Sequence, residues 1–78
     1  MKPRDYTVYM KTTASTTLFG ARLVQARERA NLTRSELARR AGTSRQYLWR
    51  LETGKQDPSW ELVRNLAAAL GLSTDYFL

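Results

Sequence analysis

"TRSELARRAGTSRQYLWRLETGK", Thr33 to Lys55, holds two helix starts and a helix stop in one short stretch. Thr33 is placed to accept from the backbone N–H three residues on while Glu36 reaches back, the reciprocal pair of a capping box. Gly42 supplies the left-handed residue that stops this helix after Arg34–Ala41. The same signal follows at once: the spacing predicts Thr43 as a second cap, Gln46 in the box position, and Leu48 and Leu51 as the inward row of a helix over about 43–53, ended by Gly54. Two short helices joined through one glycine must cross steeply with their axes close, so the side chains at the crossing must be small. Ala38, Gly42, Leu48 and Leu51 supply a small crossing residue, a turn and two apolar anchors in that order.

Working outward, Phe19, Leu23, Ala26 and Ala30 recur at helical steps from Leu18 and predict a helix ending near Ala30 or Asn31. Beyond the central stretch, "KQDPS" reads as a loop. Ser59 then caps a helix whose Leu62, Val63, Leu66, Ala69 and Leu70 form a broad apolar face, ended by Gly71. Ser73 can cap a last short turn with Tyr76, Phe77 and Leu78. The expectation is an all-α, compact five-helix domain over residues 18–78 with short connections. Residues 1–17 form an N-terminal arm of another character. Its alternation of Tyr6, Val8 and Met10 with Thr7, Tyr9 and Lys11 favours a β-strand pairing with a second copy of itself, and a disordered tail fits equally well.

The chain has 78 residues, enough for one domain, and a domain of that size buries only about 60% of its unfolded surface. Cysteine and histidine are absent from the sequence, which removes disulfides, thiolate nucleophiles, the usual zinc ligands and the commonest general base. The reading is therefore no enzyme, no metal and no cofactor. No apolar run reaches the roughly 18 residues of a membrane span, and no signal peptide opens the chain, so a cytoplasmic protein is expected. Thirteen basic residues against seven acidic ones give a net charge of +6 and a pI near 10.3. Residues 58–78 carry −1, so residues 1–57 carry +7, the balance of a protein with a polyanionic partner.

Ala38, Gly42, Leu48 and Leu51 stand at the spacing of a helix-turn-helix. The run "LTRSELARRAGTSRQYLWRLETGKQDPS" resembles the lambda-repressor-like (XRE and Cro type) helix-turn-helix DNA-binding family, and the resemblance extends from Leu18 to Leu78 through "LAAALGLSTDYFL". Two departures from the family's pattern stand out: Arg34 stands where glutamine often opens the first helix of the motif, and Tyr47 and Trp49 stand where small polar residues are usual.

Helical rotation from Leu48 and Leu51 turns Ser44, Arg45, Gln46 and Arg50 outward. Arg45 can pair with guanine O6 and N7 and Gln46 with adenine N6 and N7, each discriminating a base by about 1–3 kcal/mol. The resemblance implies that these positions, with Tyr47, read bases from the major groove of double-stranded DNA. It implies phosphate contacts for Arg34 at a helix N-terminus, for Thr43, and for Thr53, Gly54 and Lys55, a loop offering backbone N–H groups and a lysine. Arg27 and Glu52 match a structural pair in the family. Trp49 fits either packing against the "ETGKQDP" loop or a place beside the sugar-phosphate chain. One short helix reads few base pairs, so a homodimer on an inverted repeat is expected. Its interface would draw on Tyr6, Val8 and Met10 of the arm and on Trp60, Tyr76, Phe77 and Leu78. The function implied is a dimeric transcriptional regulator of the repressor type. The alternative is an antitoxin or adaptor that grips a toxin or other protein through its arm or C-terminal turn.

Overall fold

A computed structural model of the chain describes residues 18–77. The proposed arm with Tyr6, Val8 and Met10, and the terminal Leu78, lie outside the described residues. Helix α1 covers residues 18–29, α2 Arg34–Ala41, α3 Arg45–Glu52 and α4 Trp60–Leu70, and a 3-10 turn covers Thr74–Phe77. The architecture is all-helical, with no strand among the described residues. Five α-helices were expected, and four form. The last element is too short for i→i+4 bonding and closes instead through the Tyr76 N–H on the Ser73 carbonyl at 3.0 Å, as short helical pieces do.

Local chemistry accounts for the helix boundaries. The Thr33 hydroxyl accepts from the Glu36 N–H at 3.1 Å and the Thr33 N–H donates to Glu36 Oε1 at 2.8 Å, so the capping box starts α2. The Glu36 carboxyl is held below its ordinary pKa, first by the Thr33 N–H and then by the Thr33 hydroxyl, with Arg39 and Arg40 adding to the effect. The second cap differs from the sequence expectation. Ser44, not Thr43, caps α3, accepting from the Tyr47 N–H at 3.0 Å. Thr43 belongs to the end of α2, because its N–H donates to the Ala38 carbonyl at 2.9 Å while Gly42 takes φ 76°. That leaves Gln46 outside any capping box, its amide unused by the helix start. Asn31, at φ 58°, ends α1 in the same left-handed way, with the Leu32 N–H on the Arg27 carbonyl at 3.1 Å.

The core gathers one row from each helix. Leu23, Leu37, Leu48, Leu51 and Leu66 are fully buried, joined by Phe19, Ala38, Ala41, Leu62, Val63, Ala67 and Phe77. The two anchors of α3 and the small residue at its crossing with α2 therefore sit where their spacing required. Ala30, assigned to the stripe of α1, falls beyond the helix end and is exposed. Phe77 packs on Phe19 with ring centroids 5.0 Å apart, and the Tyr76 hydroxyl donates to the Arg22 carbonyl at 3.3 Å. The C-terminal turn is in this way folded onto α1.

Gly20 shows a packing need that its spacing did not. A Cβ there would lie 2.6 Å from the Leu51 carbonyl oxygen and 2.7 Å from that of Glu52, so α1 rests directly on the backbone that ends α3. Gly42 is the opposite case: a Cβ there would meet nothing within 4 Å, and only its backbone angle calls for glycine.

Gly20→Ala should destabilise the domain by about 1–3 kcal/mol, because a rigid backbone must move. Thermal unfolding should show a clear fall in Tm, whereas an unchanged Tm would mean that α1 and α3 are not in this contact. Glu36 gives a second test. Its lowered carboxyl contributes stability above the ordinary carboxylate range that is lost as pH falls through the lowered folded value, so the Tm difference between wild type and Glu36→Gln should shrink on acidification.

Candidate nucleic-acid interface

The site begins with a buried acid. The Glu52 side chain, 1% exposed at the end of α3, takes Arg27 Nε on Oε2 at 2.6 Å and Arg34 Nε on Oε1 at 2.6 Å. Arg27 also reaches Oε1 through Nη2 at 3.3 Å and donates through Nη1 to the Leu32 carbonyl at 2.9 Å. One carboxylate thus ties α1, the start of α2 and the end of α3 together. A buried carboxylate is costly unless its charge is matched and its oxygens bonded. Here both conditions hold. The expected Arg27–Glu52 pair is present; the second arginine is what sequence reasoning missed, although the replacement of a glutamine by Arg34 beside a lone core acid was a signal for it.

Arg34 is held by Nε alone, with a side chain 39% exposed. From that anchor it lines an open groove of about 540 Å³ with Arg45, Gln46 and Trp49 of α3. Arg45, Gln46 and Trp49 fall at i, i+1 and i+4, one face of a helix. Among the described residues no carboxylate lines this groove, which presents two guanidiniums, an amide and an indole to solvent. The structure therefore brings Arg34, Arg45 and Gln46 into one surface.

Other candidates stand elsewhere. Tyr47 is half-buried against the core and lines a separate crevice with Gly42, Thr43, Ser59, Glu61, Leu62 and Asn65, toward α4. Ser44 is exposed, but its hydroxyl is engaged as the cap of α3. Arg50 is exposed near the end of α3. Trp49 is 41% exposed, with Lys55 Nζ 5.9 Å from its ring centroid, so its contact with the following loop is a cation–π stack rather than burial. Among the described residues no group of His, Cys, Asp or Glu is placed to hold a metal ion, and no helix is long and apolar enough to cross a membrane.

A family model described as a helix-turn-helix domain matches residues 18–76. The chain belongs to this helix-turn-helix family. It is 39% identical over 56 residues to an uncharacterized HTH-type transcriptional regulator, y4dJ, of Sinorhizobium fredii, covering 72% of this chain and 73% of that one. Its fold is similar to the restriction-modification controller protein C.AhdI of Aeromonas hydrophila, with TM-score 0.81, 29% identity, and coverage of 83% of this chain and 98% of that one. It is similar also to the clp gene regulator ClgR of Corynebacterium glutamicum, with TM-score 0.78, 33% identity, and coverage of 81% and 67%. The protein is of the helix-turn-helix transcription-regulator type.

The turn after α3, for which the resemblance implied phosphate contacts, is closed by its own hydrogen bonds. The N–H groups of Thr53, Gly54 and Lys55 donate to the carbonyls of Trp49, Leu51 and Arg50, and the Thr53 hydroxyl donates to the Trp49 carbonyl at 2.8 Å. These groups close the end of a helix, where the backbone dipole is negative and disfavours an anion. Lys55 Nζ is the group of this turn that retains a charge for a phosphate.

Of the described residues expected at a dimer interface, Phe77 is 6% exposed within its own chain, Trp60 is 52% exposed and Tyr76 is half-buried.

Glu52→Ala should destabilise the domain by about 3 kcal/mol, since it strands the largely buried Arg27. Arg34→Ala should cost much less, because Arg34 keeps access to water. Urea unfolding of the two variants checks this order; equal losses would mean that Arg34 carries the pair.

Proposed function

We propose that the protein binds double-stranded DNA sequence-specifically as a homodimer, places α3 in the major groove and regulates transcription, acting as a repressor where its site overlaps a promoter. The observation that supports this best is the shared groove of Arg34, Arg45 and Gln46: a charge from the start of α2 stands beside outward side chains of α3, with no acid among them. An exposed helix of this kind fits the width of the major groove. Arg45 reads guanine, and Gln46, released from capping, reads adenine. Ser44 and Arg50 flank them, and Tyr47, turned toward α4, is confined to the edge of the contact.

Arg34, Thr43 and Lys55 face the phosphates. Arg34 suits this role because Glu52 fixes its position without taking its terminal nitrogens, so less side-chain freedom is lost on binding. An eight-residue helix reaches few base pairs, and two-fold symmetry supplies the rest, with half-sites about 34 Å apart on one face of the duplex. The exposed Trp60 and the edge of Tyr76 are the described residues available to that dimer.

Selection from a randomised duplex pool near physiological salt tests the reading, because phosphate attraction alone is weak there. Enrichment of an inverted repeat is expected; a pool that stays random would remove specific DNA binding and turn attention to a protein partner. On the enriched site, Arg45→Ala should cost about 1–3 kcal/mol and relax one base position, whereas Arg34→Gln should weaken all sequences alike and reduce the salt slope by about 1.

A further inference from the structure

Trp49 has no role in the core and none yet in recognition. Single exposed apolar residues are ordinary, so exposure alone says little. Its surroundings say more. The indole forms one wall of a groove whose other walls are Arg34, Arg45 and Gln46, and it lies one turn, about 6 Å along α3, from Arg45. The described lining of the groove thus combines two cationic groups and an amide with one apolar ring. A nucleic-acid strand has the matching alternation, an anionic phosphate followed by the apolar flank of a sugar. On the reading that α3 enters the major groove while the preceding helix crosses the backbone, the groove between the start of α2 and the face of α3 lies beside one strand.

We propose that the Trp49 indole packs against a deoxyribose of the duplex backbone while Arg34 grips the adjoining phosphate. This rests on the DNA-binding reading above and assigns a contact within it. Lys55, stacked over the ring, brings a further positive charge to the same strand. The contact is to sugar, not to a base, so it strengthens binding to every sequence and selects none.

The test uses Trp60→Phe, which leaves Trp49 as the sole tryptophan of the full chain. The probe is an end-labelled duplex of mixed sequence at low salt. Anisotropy of the label reports binding, and acrylamide quenching of the indole reports contact. Protection of Trp49 in step with the anisotropy rise is expected. In the wild-type background Trp49→Ala should weaken binding about tenfold on all duplexes, and Trp49→Phe should restore part of it. A rise in anisotropy with unchanged quenching overturns the proposal and leaves DNA binding standing. No rise in anisotropy with the wild-type chain, whose Trp60 is intact, overturns the DNA-binding reading and this contact with it. Stronger protection by single-stranded than by duplex DNA would assign the groove to an unstacked base and overturn the sugar contact. Because the quenching measurement keeps Trp49 in place, it stands whether or not Trp49→Ala folds.

Discussion

Glu52 is the one buried charged residue among the described residues, and the relative placement of three helices depends on it. Its carboxylate is nearly inaccessible to water, so two guanidiniums must replace the lost hydration. Arg27 comes from α1 and Arg34 from α2, while Glu52 ends α3, so meeting this need closes the helices around one point. Such a cluster adds little stability over a well-packed apolar alternative. Its value here is directional: apolar contacts hold the helices together, and the bidentate Arg27 contact sets their angle.

The same cluster connects fold to function. Arg34 is anchored at Nε from within and extends toward the groove from that anchor, so a residue of the core network is also a residue of the proposed interface. Gly20 acts at the same end of α3, since its lack of a side chain lets α1 lie against the carbonyls of Leu51 and Glu52. The end of α3 is thereby held through both its backbone and the Glu52 side chain while its outward face stays open. The proposed reading of bases by α3 needs that arrangement, because discrimination is lost if the side chains can shift.

Most of the helical plan was legible because its signals are local. Thr33 with Glu36, Gly42, Ser59 and Gly71 each act within a few residues, and the leucine rows declare their faces by period alone. The error at Thr43 is equally local in cause. Two adjacent residues could each cap α3, and the winner was decided by which N–H the preceding turn had already engaged. Phe77 owes its place to a contact that is not local. An aromatic residue near the end of a chain looks like a surface waiting for a partner, but the 3-10 turn folds it onto Phe19.

The sequence by itself determined most of the helix boundaries, the glycine turn between α2 and α3, and the outward direction of Arg45 and Gln46, because capping and periodicity are properties of neighbouring residues. Only the tertiary structure decided that Arg34 shares Glu52 with Arg27, that Tyr47 turns toward α4, and that Trp49 joins Arg34 in one groove. Those outcomes depend on distances between helices, and no short-range spacing encodes where a side chain from one helix meets the surface of another.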